Sequence, residues 1–245
     1  HVPSVPENVQ ACNAASVPSH TLAIVPANTH HRPMARIVAI AGQKGGAGKS
    51  TVAISVASEL HARGGRVLLV DADHQGTAIT WSGIATEAGA DEPTTVAMGD
   101  NLRGQLPAMA EPYDWAVIDC PGRGGKRQVA AMAIADVVVL PCGPSPADAW
   151  ALAETVEELA RVLELRPELV AVVLMNRTDR TAIGASAKEA VESLGLPILA
   201  SSLGDRVAFR ESMAAGRGVT RYASGTVAAN EVRRLVDEIE ERAGA

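Results

Sequence analysis

Aromatic side chains are scarce in this chain of 245 residues: one Phe, two Tyr and three Trp. Its core must therefore be built from Ala, Val, Leu and Ile, a composition typical of helices packed on a buried parallel sheet. Surplus positive charge is absent too. The formal charge is −6, which argues against a polybasic coat for nucleic acid and leaves room for a local basic patch. Cysteine is limited to Cys12, Cys120 and Cys142, an odd number with no CxxC pair. That pattern speaks for a reduced, cytoplasmic protein over a disulfide scaffold. Cys120 and Cys142 each end an apolar run and read as small buried residues, not as ligands of a cluster shared between subunits. No apolar run reaches about 18 residues, so no membrane-spanning helix is expected. The first 33 residues lack the basic start and continuous apolar stretch of a signal peptide.

Residues 1–33 differ from the rest, with five prolines, four of the six histidines and no sustained periodicity. A disordered tail is expected there, and His30-His31 reads as a solvated pair in preference to a metal site. Met34 stands just before the first strand, so one folded domain is expected over 34–245. Apolar runs predict strands at 37–40, 66–70, 115–119, 137–140, 169–175 and 198–203. Helices are predicted at about 50–63, ended by Gly64 and Gly65, and at 77–85, 147–165, 181–194 and 227–242. Continuous apolar strands alternating with helices imply an α/β fold, a mainly parallel twisted sheet with helices on both faces. No internal repeat is visible.

Between the first strand and helix the chain reads Gly42-Gln43-Lys44-Gly45-Gly46-Ala47-Gly48-Lys49-Ser50-Thr51. Glycines let backbone N–H groups curl around an anion, and the helix N-terminus adds free donors and its dipole. Lys49 is placed to reach the β- and γ-phosphates of a nucleotide, and the Ser50 hydroxyl to ligate Mg²⁺. A Gly-rich turn with chance lysines does not account for strand, loop, Gly-Lys-Ser and helix in succession.

Gln43 occupies the place where the usual P-loop has its first glycine, and a second lysine, Lys44, follows. The segment from Lys44 to Ser50 resembles the deviant Walker A motif of the family that contains ParA partition ATPases, MinD and the nitrogenase iron protein. The resemblance implies a P-loop NTPase with ATP and Mg²⁺ as cofactors. The nucleotide would be held by Lys44, Gly45, Gly46, Ala47, Gly48, Lys49, Ser50 and Thr51. Lys44 would cross a dimer interface to the partner's nucleotide. Asp71-Ala72-Asp73-His74-Gln75-Gly76 is similar to the family's first switch, usually Asp-x-Asp-Pro-Gln-Gly. Asp73 would then orient the attacking water and Asp71 would lie near the Mg²⁺ shell; His74 stands where proline is usual. Asp119-Cys120-Pro121-Gly122 resembles Walker B and the second switch, with Asp119 holding Mg²⁺ through water. Acidic strand ends of this kind gather at the carboxyl edge of an open α/β sheet. Asn176, followed by Arg177, matches the position that reads adenine in relatives, with a plain turn as the alternative.

The stretch from Pro141 to Ala149 resembles the "Pro-x-x-Pro-Ser-Pro-x-Asp" segment of small ParA proteins, and no helix-turn-helix segment precedes the P-loop. Arg206 and Arg210 lie where ParA proteins carry DNA-contacting basic residues, and they are not assigned to the nucleotide pocket. With Arg217 and Arg221 they outnumber Asp205 and Glu211, enough for weak, sequence-independent phosphate binding; a solvated charged face is the alternative. The resemblance implies an ATP-bound homodimer, non-specific DNA, a ParB-like or centromere-binding adaptor, nucleoid association, and slow, partner-stimulated hydrolysis serving partition or positioning. Two alternatives are a MinD-like membrane-cycling ATPase and an ATPase that positions a protein organelle. Against membrane cycling, the terminal helix carries Asp237, Glu238, Glu240 and Glu241, which anionic lipid would repel. Its stripe of Val232, Leu235, Val236 and Ile239 suits docking on the core. A metabolic enzyme on the same scaffold, a ligase or electron-transfer ATPase, ranks lower because no cluster-ligand cysteine pair is present.

Overall fold

The computed structural model describes residues 34–122, 125–178 and 188–244. The expected tail, with His30, His31 and Cys12, and the first half of the helix expected over 181–194 lie outside them, while residues 188–192 are helical. The described residues form one sheet of seven strands: β1 (Arg36–Ile40), β2 (Val67–Asp71), β3 (Thr94–Ala97), β4 (Trp115–Asp119), β5 (Val137–Cys142), β6 (Val170–Thr178) and β7 (Ile198–Gly204). Their order is β3-β2-β4-β1-β5-β6-β7, and every neighbouring pair is parallel. Eight helices are described by full spans: α1 (Lys49–Ala62), α2 (Thr77–Glu87), α3 (Leu102–Ala110), α4 (Lys126–Ile134), α5 (Pro146–Leu165), α6 (Val207–Ala214), α7 (Val219–Tyr222) and α8 (Val227–Arg242).

Successive strand residues point to opposite faces, and two cores result. Ile37, Leu68, Val70, Ile118, Val138 and Leu140 join Leu106, Met132 and Leu159 of α3, α4 and α5 on one face. Val38, Ile40, Leu69, Val117, Val139 and Leu174 join Ile54 of α1, Trp81 of α2 and Leu235 of α8 on the other. Both faces being covered, the strands read as continuous apolar runs. Helix α1 stops at Gly64, whose φ of 91° suits a glycine C-terminal stop, and Gly65 N–H donates back to the Leu60 carbonyl at 3.1 Å. In α8, Val232, Leu235, Val236 and Ile239 are fully buried, so its apolar stripe is engaged by the core. No described helix is long and apolar enough to cross a membrane.

Five elements are missing from the sequence-based outline, among them the four-residue α7. Strand β3 is short, polar and largely exposed, so it offers no apolar run. Helix α3 carries Gly104 and Pro107, both poor in a helix interior, and α4 and α6 span only nine and eight residues. The strand order matters for the site. With β1 between β4 and β5, the chain leaves the central strand toward both edges, and the crevice at such a switch point is where open α/β sheets bind ligands.

Candidate active site

The loop after β1 is held from outside by three different elements. Gly42 N–H donates to Gln128 Oε1 of α4 at 3.0 Å, and Gln43 N–H to Thr155 Oγ1 of α5 at 3.1 Å. From β6, Asn176 Nδ2 donates to the Ala47 carbonyl at 2.7 Å, and Arg177 Nη1 to the Gly46 carbonyl at 3.2 Å. Gly48, at the start of α1, has φ 86° and no side chain caps the helix. A Cβ there would lie 2.5 Å from Asn176 Nδ2, so glycine is required. The uncapped start leaves the first N–H groups of α1 without intrahelical partners, the arrangement that receives an anion.

Lys49 is buried, and its Nζ donates to the Lys44 carbonyl at 3.0 Å. Burial lowers its pKa, against the opposing pull of Asp119, Cys120 and Asp73. Lys44 behaves differently. Its Nζ sits 2.6 Å from Asp148 Oδ1 in the first turn of α5. Asp148 also closes a capping box with Ser145, a reciprocal pairing that satisfies free N–H groups at the helix start. Burial works to raise the Asp148 carboxyl, but the hydrogen bonds from Lys44 and Ser145 outweigh it and hold the group below the ordinary range.

Three carboxylates flank the loop. Asp71 and Asp119 end neighbouring strands in register. Asp119 is fully buried, and neither oxygen makes a hydrogen bond among the described residues. Its pKa is pushed up to about 7, chiefly by burial; nearby Ser50 pulls it down without completing a well-formed hydrogen bond. An orphaned buried carboxylate beside a hydroxyl fits a divalent cation. Among the described residues no group of three or more His, Cys, Asp or Glu side chains could hold a metal. A cation here would depend on Ser50, Asp119, water and the nucleotide's own oxygens. Asp71 is more occupied: Oδ1 accepts from Asp73 N–H at 3.1 Å and Oδ2 from Ile79 N–H at 3.0 Å. Burial raises its pKa against these backbone bonds. Asp73 opens a turn in which its Oδ1 accepts from Gln75 N–H at 3.0 Å. Cys120 and Cys142 are buried and free, and burial pushes both thiols up, Cys142 to about 11.

The loop borders a cavity of about 1140 Å³, lined among others by Gly45, Gly46, Gly48, Lys49, Ser50, Thr51, Asp73 and Asn176, while Lys44, Ala47, Asp71 and Asp119 are not among its lining residues. Asn176 reaches it with its amide already engaged, Nδ2 by Ala47 and Oδ1 by Arg177 N–H at 3.0 Å. It therefore ties β6 to the loop as well as lining the cavity. Arg177 follows with φ 55°, the one positive φ of a described non-glycine residue. One expectation needs correction. Arg206 and Arg210, expected outside the nucleotide pocket, both line this cavity, because β7 lies beside β6 and the loop after it reaches the same edge. Nor are they free cations. Arg206 grips Glu231 through Nε at 2.9 Å and Nη2 at 2.5 Å, and Arg210 Nη1 meets Asp205 at 2.8 Å. Arg221 pairs with Asp91, so the local basic excess is offset by acids from elsewhere in the chain.

Gln128 and Thr155 are site residues that sequence reasoning did not single out, and Asp148 and Arg177 were noted there without their contacts to Lys44 and Gly46. Asp148 left a readable signal, as the fourth residue of Ser145-Pro146-Ala147-Asp148 at a helix start.

Residues 38–219 match the model of the CobQ/CobB/MinD/ParA nucleotide binding domain. The maintenance of carboxysome distribution protein A of Halothiobacillus neapolitanus is 32% identical over 207 residues, covering 82% of this chain and 95% of that protein. The chromosome-partitioning ATPase Soj of Thermus thermophilus is 27% identical over 243 residues, covering 85% and 96%. Among solved structures, the septum site-determining protein MinD of Pyrococcus horikoshii, complexed with Mg-ADP, superposes with a TM-score of 0.68 at 21% identity. That match covers 86% of this chain and 98% of the other. The chain belongs to the CobQ/CobB/MinD/ParA family of nucleotide-binding domains, in its ParA-type ATPase branch.

Proposed function

We propose that this chain is an ATP- and Mg²⁺-dependent positioning ATPase. It pairs with a second copy when ATP binds, holds non-specific DNA in that state, and is released when an adaptor protein stimulates slow hydrolysis. One observation supports the reading: the two lysines of one loop stand in different surroundings. Lys49 is buried at the cavity floor with Asp119 and Asp73 near it, while Lys44 is turned away to Asp148.

In this reading the free N–H groups of the loop and of α1 bind the phosphates, and Lys49 balances their charge. Lys44 leaves Asp148 and reaches the nucleotide of the second copy. Ser50 and, through water, Asp119 would hold Mg²⁺, which when bound would neutralise phosphate charge. Asp73 orients the attacking water. Asn176 fixes the loop and borders the base. Asp71 braces the switch turn beside the metal shell. Affinity for DNA differs between the two nucleotide states, so ATP acts as a timer.

The Halothiobacillus relative is named for carboxysome distribution and the Thermus relative for chromosome partitioning. Both names support a cargo-positioning role, and the higher identity favours a protein body as cargo over DNA. Membrane cycling is disfavoured because the apolar stripe of α8 is buried and unavailable to lipid.

The test is binding of the purified chain to two unrelated DNA duplexes and to anionic liposomes, each with ATP, with ADP and without nucleotide. The expected result is DNA binding with ATP alone and no flotation with liposomes. ATP-dependent flotation without DNA binding would replace this reading with the membrane one.

A further inference from the structure

The turn after β2 presents a histidine to the cavity. His74 Nδ1 lies 3.2 Å from Asp73 Oδ1, with the imidazole side chain 69% exposed and that of Asp73 14%. Both residues line the cavity beside Lys49 and Ser50. The rest of the turn is already fixed. Gly76 N–H donates to the Asp73 carbonyl at 3.1 Å, Asp73 N–H donates to Asp71 at 3.1 Å, and Asp73 Oδ1 accepts from Gln75 N–H at 3.0 Å. Among the described residues Asp73 Oδ2 accepts no hydrogen bond.

We propose that His74 is a positioning residue for ATP hydrolysis: its Nδ1–H holds Asp73 Oδ1, so that Oδ2 alone is presented to the attacking water. The inference rests on the reading above, in which the chain hydrolyses ATP and Asp73 orients that water. In the step concerned, the water oxygen bonds to the γ-phosphorus as the bond to the β,γ-bridging oxygen breaks. The electron pair of that bond leaves with ADP, and the proton of the water ends on the released phosphate or in solvent. His74 takes no part in this balance and acts only through the carboxylate.

The physical need is rotational. The terminal torsion of an aspartate is broad and roughly two-fold, so a carboxylate held by one backbone donor can still swing. A second donor on the same oxygen removes that freedom and makes the two oxygens unequal. Placement errors of about 1 Å at a reacting water cost up to roughly 10²-fold in rate. In the nucleotide-free site the two groups stand at an ion-pair distance of 3.2 Å without hydrogen-bond alignment, and such poorly aligned contacts are of the kind that tighten in the complex.

The experiment is steady-state hydrolysis of Mg·ATP by the full chain, with kcat and KM separated, for the wild type, His74→Ala, His74→Asn, His74→Gln and Asp73→Ala. Asn places an amide N–H where Nδ1 stands; Gln places it where Nε2 stands. The exposed side chain makes misfolding of the His74 variants a minor concern, and matched thermal melts check it. The expected result is a fall of about tenfold in kcat for His74→Ala with KM within about twofold, restored largely by Asn and not by Gln. Equal loss in the Ala and Asn variants, or wild-type kcat in the Ala variant while Asp73→Ala is inactive, overturns the positioning role and leaves the ATPase reading standing. Normal turnover by Asp73→Ala overturns both.

Discussion

Replacing Asp119 by Asn removes a charge but almost no volume from the buried end of β4. Its consequence can be worked out from burial. The folded chain holds this carboxyl at about 7, against 3.8 for an ordinary aspartate, so folding raises the pKa. The folded state then keeps a proton that the unfolded state releases. The stability due to this group is fully present below about pH 4 and is lost as pH rises through 7. At about 1.4 kcal/mol per pH unit the loss totals about 4 kcal/mol, of which about 2–3 kcal/mol falls between pH 5 and pH 7. A neutral amide does not titrate, but its buried N–H groups without partners cost about 1–3 kcal/mol. Without nucleotide or metal, Asp119→Asn should therefore be close to the wild type in stability at pH 5. At pH 8 it should be more stable by about 1–3 kcal/mol. Urea denaturation at both pH values in EDTA measures the difference. With Mg·ATP the order should reverse, because the amide cannot balance a divalent cation. A stability difference that does not grow between pH 5 and pH 8 would refute the argument that burial dominates this carboxylate.

Lys49→Ala should abolish ATP binding by isothermal titration, since the cavity loses its own lysine from the loop while Lys44 is engaged elsewhere. Asp148→Asn frees Lys44 and should strengthen ATP-dependent pairing in light scattering, whereas Lys44→Ala should bind ATP and fail to pair; identical pairing in the two variants would sink the crossing role. Arg206→Ala with Arg210→Ala should weaken DNA binding alike on all sequences. It should also lower the salt slope of log affinity by up to about 3.6, at roughly 0.9 per phosphate contact. Because both arginines line the cavity, the same double variant should also lose ATP affinity by titration. Unchanged affinity and slope on DNA would reduce the segment to a solvated, ion-paired face.

Much of the fold was legible because its signals are local. A strand buried on both faces writes itself as a run such as Val67 to Val70, and α5 and α8 each repeat their apolar residues at helical spacing. The loop from Lys44 to Thr51 and the acidic strand ends at Asp71 and Asp119 belong to the same class. Their chemistry requires particular residues at particular spacings, and the spacing is visible in one dimension. Elements without a strong local pattern, the exposed β3 and the Pro-containing α3, were not legible, since packing against neighbours decides them.

The site divides along the same line. From the sequence alone came the loop with its two lysines, Lys44 and Lys49, and the acidic strand ends at Asp71 and Asp119. Only the tertiary structure brought Asp148 to Lys44 across 104 positions, Gln128 and Thr155 to the back of the loop, and Arg206 and Arg210 to the rim of its cavity. It also showed Asp71 engaged by backbone donors and Asp119 left bare. The reason is physical. Strand order in a parallel sheet is set by which apolar faces pack together, and a chain that crosses between strands leaves no local record of its neighbours. Whether a carboxylate is free or engaged then depends on which N–H groups that packing brings within about 3 Å.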